Sequence, residues 1–174
     1  HQLQKQGYSL SEIGVDADGQ LDLAELQAAL TPDTALVSVM WANNETGVIF
    51  PLEKIAPLVK ERGAVLHCDA VQAVGKIPID LSRVPVDLLS LSGHKLHGPK
   101  GIGALYVRKG TKLSPQILGG HQERGKRSGT ENVPGIVGLG AACARASQHL
   151  PEISTRVRAL RDELERGILA VCKD

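Results

Sequence analysis

Three short polar clusters carry most of the groups in this chain that could do chemistry: Asn43-Asn44-Glu45, Asp69-Ala70-Val71-Gln72 and Ser92-Gly93-His94-Lys95. A lysine amine held in a pocket is what Schiff-base chemistry requires, although a lysine in a Gly/His/Pro loop can equally be solvated. Asp69 follows an apolar run directly, so it is expected to be at least partly buried, and a buried carboxylate needs a partner. It either caps the next helix or holds a cationic nitrogen of a ligand. Gln72 could reach the same ligand as a neutral donor; on its own it reads as a helix-surface residue. His94 has a comparable bland reading as an ordinary loop histidine. Gly101-x-Gly103 alone is weak support for anion binding. A fourth polar stretch, Gly119 to Thr130, offers cations and hydroxyls to an anionic group, or forms a surface loop.

Positioning these groups is the work of the apolar runs between them. Ala35 to Met40, Ala64 to Cys68 and Val86 to Leu91 read as buried strands, each ending just before one polar cluster. Leu52, Ile55, Ala56 and Val59 repeat at helical spacing, with Gly63 as the stop and Pro57 predicting a late start or a kink. Gly103 to Val107 predicts a further strand in a hairpin or edge position. A short helix is expected from Asp22 or Leu23 to Leu30. Two helices, Val133 to His149 and Pro151 to Cys172, close the chain, the second with a stripe of Leu160, Leu164, Ile168 and Val171. Strands alternating with helices predict an α/β fold with a mainly parallel sheet flanked by helices. Ligands in open sheets of this kind bind beyond the C-terminal strand ends, so the three clusters should line one crevice.

Composition excludes several other classes. The 174 residues hold 20 Lys+Arg and 19 Asp+Glu, for a net charge of +1. That balance leaves no electrostatic footprint for nucleic acid and no basic run for a membrane surface. Aromatics are only 2%, too few for base-stacking platforms. No apolar run approaches the ~18 residues of a membrane span. Cys68, Cys143 and Cys172 form no metal-ligand or disulfide pattern, which points to a reducing, cytoplasmic compartment. The opening His1-Gln2-Leu3-Gln4-Lys5 has neither an initiator Met nor an apolar signal region, and reads as a cut edge.

Taken together, His67-Cys-Asp69-Ala-Val-Gln72 followed by Ser92-Gly-His-Lys95 resembles the fold-type I enzymes that use pyridoxal phosphate. Trp41-Ala-Asn-Asn44-Glu-Thr-Gly47, Gly98-Pro-Lys-Gly101 and Gly120-His-Gln-Glu-Arg-Gly-Lys-Arg-Ser-Gly-Thr130-Glu-Asn132 narrow the resemblance to the cysteine desulfurases of the NifS/IscS group. The resemblance covers essentially the whole chain. It implies that Lys95 holds pyridoxal 5′-phosphate covalently and later moves the substrate's α-proton. Asp69 would pair with the protonated pyridine nitrogen, and Gln72 would bond the phenolic oxygen. Asn44 would sit against the same edge of the ring or the substrate. Ser92 and His94 would hold the phosphate, and Thr130 would contact the phosphate of a neighbouring subunit's cofactor, implying a homodimer.

The implied reaction is sulfur transfer. L-cysteine becomes L-alanine, and an enzyme cysteine persulfide hands sulfur to an iron–sulfur scaffold or other acceptor protein. The resemblance also implies that this chain matches the middle of a longer protein. Residues 1–149 would belong to the large cofactor-binding domain, and 150–174 to a helix leading toward a small C-terminal domain. None of the three cysteines matches the family's nucleophile, so all three read as structural, and the isolated chain is expected to be inactive. Selenocysteine lyase, or a non-catalytic fold-type I fragment, are the alternatives.

Overall fold

The computed structural model describes residues 2–172. A one-turn helix α1 (Gln2–Lys5) and a short helix α2 (Leu23–Ala29) precede strand β1 (Leu36–Met40). Asp22 starts α2 as its cap, accepting from the backbone N–H groups of Ala24 and Glu25 at 2.8 and 3.2 Å. Helix α3 (Leu52–Glu61) leads to β2 (Val65–Asp69), and β3 (Leu88–Ser92) follows. Strand β4 (Gly103–Val107) returns antiparallel along β3, giving a four-stranded sheet in the order β1-β2-β3-β4 with the first three strands parallel. The edge position expected for residues 103–107 is thus observed.

Helix α3 begins at Leu52 in spite of Pro57, so the late start expected from that proline does not occur. Its missing N–H costs the Glu53 carbonyl a helical partner, and both residues are exposed, where water can serve instead. The opposite face carries Leu52, Ile55, Ala56 and Val59, all fully buried. They share one core with Leu66 and Cys68 of β2, Leu89 of β3, and Trp41 and Phe50. Gly63, at φ +71°, takes the left-handed position just past the helix end.

No helix stands between β2 and β3. Residues 71–76 form successive turns, with Val74 N–H on the Ala70 carbonyl at 3.0 Å and Ile77 N–H on that of Ala73 at 3.1 Å. Asp69 therefore does not cap a helix. Its Oδ1 accepts from Val71 N–H at 2.9 Å in a local turn.

The two closing helices are one helical run. Helix α4 (Val133–Glu152) passes through a π-helical stretch (Ile153–Val157) into α5 (Arg158–Val171). Pro151 breaks the hydrogen-bond ladder without ending the helix. The hydroxyls of Ser154 and Thr155 both bond back to the Pro151 carbonyl at 3.0 Å, absorbing the local widening. The stripe of Leu160, Leu164, Ile168 and Val171 is exposed among the described residues, not packed. No described helix is long and apolar enough to cross a membrane.

One buried ion pair ties the core together. Lys60, at the end of α3, reaches the carboxylate of Asp87 just before β3, and the same oxygen accepts from Leu66 N–H at 2.7 Å. The Asp87 backbone also bonds Leu66 and Arg108. Side-chain exposure is 35% for Lys60 but only 11% for Asp87, so the acid depends more on this contact than the amine does. Asp87→Ala, which orphans the buried Leu66 N–H as well as the lysine, should destabilise the fold by about 3 kcal/mol. Lys60→Met, which leaves the nearly buried Asp87 carboxylate without its cation, should also cost about 3 kcal/mol, both read from urea unfolding midpoints.

Candidate functional site at the strand ends

Because β1, β2 and β3 are parallel, their C-terminal ends open on one edge. Met40, Asp69 and Ser90 are register neighbours across the three strands. The edge is held by backbone bonds on both sides of Asp69. Trp41 N–H donates to the Asp69 carbonyl at 2.8 Å, and Ala70 N–H to that of Ser90 at 3.0 Å. The three polar clusters thus come to one side of the sheet.

Within the first cluster the labour divides. Asn43 shapes the turn, its Oδ1 accepting from Glu45 and Thr46 N–H at 2.8 and 2.9 Å. Asn44 is left exposed at the same edge. Asp69 is exposed as well, contrary to the burial expected from its apolar strand. It is the last residue of β2 and lies on the face opposite the α3-covered core, so strand alternation directs it outward. Its carboxylate needs no buried partner.

Ser92 ends β3, and a 3-10 turn (Gly93–Leu96) carries His94 and Lys95. Ser92 Oγ and His94 Nδ1 lie 2.9 Å apart, so these two form one polar pair. His97 closes the turn in the left-handed region at φ 60°, a conformation that costs a non-glycine residue about 1 kcal/mol. The turn is clamped from behind by α4. A Cβ on Gly138 would lie 2.5 Å from Pro99, and one on Gly75 would lie 2.6 Å from Leu96. Against the Pro99 ring only hydrogen fits, whereas at Gly75 the Leu96 methyl could yield but the φ of +74° itself favours glycine. Nothing in the local sequence marks Gly138 as part of the site, because a glycine inside a helical pattern signals weak propensity before it signals close packing.

Lys95 is exposed on a groove of about 810 Å³ between this turn and α4, lined by Gly75, Lys76, Pro99, Ala142 and Arg145 among others. Lys76 belongs to the site although its sequence context does not single it out. Its Nζ donates to Gln72 Oε1 at 2.5 Å. Burial first, and then the positive charge of Lys95, hold the Lys76 ammonium below its ordinary range. Gln72 is thereby connected to Lys95 through Lys76.

Thr130 stands apart. It follows a small hairpin of β5 (His121–Gln122) and β6 (Arg127–Ser128) and is exposed just before α4. The hairpin bend runs through left-handed Glu123 and Arg124, at φ 48° and 57°, with Arg127 bonding the Gly129 carbonyl at 2.6 Å. Among the described residues Thr130 makes no hydrogen bond to the strand-end groups.

The cysteines differ sharply. Cys68 is buried in β2, and its thiol is pushed up to about 12, by burial first and by the Asp69 charge second. Cys143 is half-buried in α4, whereas Cys172 is the exposed residue capping α5 and not a residue of the helix. A raised thiol pKa means the reactive thiolate is scarce at every pH below that value. At mildly alkaline pH iodoacetamide should therefore alkylate Cys172 in the native protein and leave Cys68 unlabelled until urea is added, as read by peptide mass mapping.

Comparison with known proteins agrees with this geometry. The Aminotransferase class-V family profile matches residues 1–173. Cysteine desulfurase 2 of Trichormus variabilis is 59% identical over 169 residues, which is 97% of this chain and 42% of the relative. A solved structure described as a NifS-like protein superposes with a TM-score of 0.93 at 45% identity, over 97% of this chain and 47% of that one. Another, described as SspA in complex with cysteine, gives a TM-score of 0.79 at 42% identity, over 82% of this chain and 42% of that one. The chain thus spans less than half the length of these proteins. Its fold over that span is the α/β fold of the NifS-like enzymes, and the chain belongs to the class-V aminotransferase family.

Proposed function

We propose that this chain is the cofactor-holding core of a pyridoxal-phosphate-dependent cysteine desulfurase. The observation that carries this reading is the parallel register that brings Asp69 and the Ser92–His94 pair to one edge, with Lys95 on the turn that follows Ser92. The donor set suits the cofactor group by group. A primary amine matches an aldehyde, a carboxylate matches a ring N–H⁺, and a hydroxyl–imidazole pair matches a phosphate.

Bound pyridoxal phosphate would supply an electron sink for the pair left at the substrate's α-carbon. The roles of the chain's own residues follow from their chemistry. Lys95 Nζ would hold the cofactor through its amine and would be the base placed to take the substrate's α-proton. The Asp69 carboxylate stabilises the charged ring nitrogen, since an adjacent negative charge favours the protonated form. Gln72 bonds the ring oxygen, with Lys76 fixing its Oε1 so that its amide N–H₂ is the free end. Asn44 borders the ring or the substrate. Ser92 and His94 would bind the phosphate, and Thr130, exposed just after the small hairpin, would contact the cofactor phosphate of a second copy in a homodimer.

With L-cysteine as substrate, an enzyme thiolate attacks the substrate sulfur, the carbon–sulfur bond breaks, and L-alanine leaves with a proton in place of sulfur. The persulfide left behind serves an acceptor protein such as an iron–sulfur scaffold. Cys68, protonated and buried, is unsuited to that attack. We assign the attacking thiol to a part of the relatives' length that this chain does not span. Domain division in the intact protein would place residues 1–149 in the large domain, with 150–174 leading out of it.

Borohydride reduction of the intact protein after incubation with pyridoxal phosphate, followed by peptide mapping, tests the assignment. The pyridoxyl mass should sit on Lys95, and Lys95→Ala should lose both the label and the visible absorption. A label on Lys76, the neighbouring amine made more nucleophilic by its lowered pKa, would contradict it.

A further inference from the structure

One imidazole spans three strands directly beneath the site, and none of the roles above uses it. His67, in the middle of β2, has Ser38 Oγ of β1 at 2.8 Å from Nδ1 and Ser90 Oγ of β3 at 2.8 Å from Nε2. Strand alternation puts His67 and Asp69 on the same face, with His67 one pleat further from the edge. Ser38 is the register partner of His67, whereas Ser90 is the register partner of Asp69. The imidazole therefore reaches diagonally to the hydroxyl standing beside the Asp69 carboxylate. A neutral imidazole has one N–H and one lone pair, so it donates to one serine and accepts from the other, and both ring nitrogens are satisfied.

The carboxylate itself is half-committed. Asp69 Oδ1 already accepts from Val71 N–H at 2.9 Å, which leaves Oδ2 as the oxygen available to a ligand. Strands in a sheet are spaced by about 4.8 Å, so a Ser90 hydroxyl free to rotate could donate to that second oxygen. A carboxylate satisfied in this way would hold a ring N–H⁺ less well, because the two donors compete for the same lone pairs.

We propose that His67 is a positioning residue for Asp69: donating Nδ1–H to Ser38 and accepting the Ser90 hydroxyl proton at Nε2, it turns that proton away from Asp69 and keeps Oδ2 available to the cofactor's ring nitrogen. This rests on the pyridoxal-phosphate reading above. It makes a claim that a purely structural histidine does not. The damage from losing His67 should flow through the Ser90 hydroxyl, and removing that hydroxyl should repair it.

The test is the equilibrium affinity of the intact protein for pyridoxal phosphate, followed by visible absorption, in His67→Leu, Ser90→Ala and the double variant. His67→Leu should weaken binding about tenfold, Ser90→Ala alone should change it by less than about twofold, and the double variant should return to within about twofold of wild type. A double variant as weak as His67→Leu, or weaker, would overturn the proposal and leave His67 as a structural strand clamp. If His67→Leu does not fold by circular dichroism, His67→Asn, which keeps a polar group toward Ser38, carries the same comparison with the same two outcomes. Wild-type protein that binds no pyridoxal phosphate would instead refute the functional reading, so the two failures are distinct.

Discussion

Everything in this molecule that could act on a ligand depends on the parallel ladder of β1, β2 and β3. The side-chain period of a strand is two, so a slip of one residue would turn Asp69 into the core and bring the apolar Cys68 to the open face. The ladder is pinned at three levels. At its lower end Asp87 accepts from both Lys60 and Leu66. In the middle His67 joins Ser38 to Ser90. At the edge Trp41 and Ala70 bond either side of Asp69. Each pin uses a polar group on or beside a strand, and each would be lost on a register shift.

The second constraint is steric. The turn bearing Lys95 is too short to hold itself, and it uses a left-handed His97 to turn back toward β4. Its stability comes from α4, whose glycine and alanine face allows Pro99 and its neighbours to approach closely. The same approach leaves Lys76 and Lys95 sharing one groove, where burial first and the Lys95 charge second hold the Lys76 ammonium below its ordinary range. Packing and charge at the site are therefore one problem. A bulkier α4 face would move the amine as well as the backbone.

Much of this was readable in the residues. The apolar runs located the three parallel strands to within two residues, because buried strands need continuous hydrophobicity. The helical spacing of Leu52, Ile55, Ala56 and Val59 identified the face that α3 buries. Sequence reasoning failed where local signals are ambiguous. Pro151 reads as a helix boundary, but flanking hydroxyls that bond back to the ladder allow the helix to continue. Asp69 reads as buried because its strand is apolar, yet its position as the final, outward residue exposes it. His67 stood in a motif without a role of its own, and Asp87 and Gly138 carried no motif at all. Their partners lie 23, 21 and 39 positions away in sequence, at Ser90, Leu66 and Pro99, so only the folded chain reveals them.

One face of the sheet, bearing Leu36, Met40 and Leu105, stays open among the described residues, although parallel sheets in complete domains are covered on both faces. The groups assigned to the cofactor lie at the edge of that same face. The most direct test of the account is a crystal structure of the intact protein with pyridoxal phosphate. A carboxylate oxygen of Asp69 should lie about 2.8 Å from the ring nitrogen, with Lys95 Nζ joined to the cofactor. A ring seated away from the strand ends, with Asp69 turned to solvent, would contradict the claim that the parallel register builds the site.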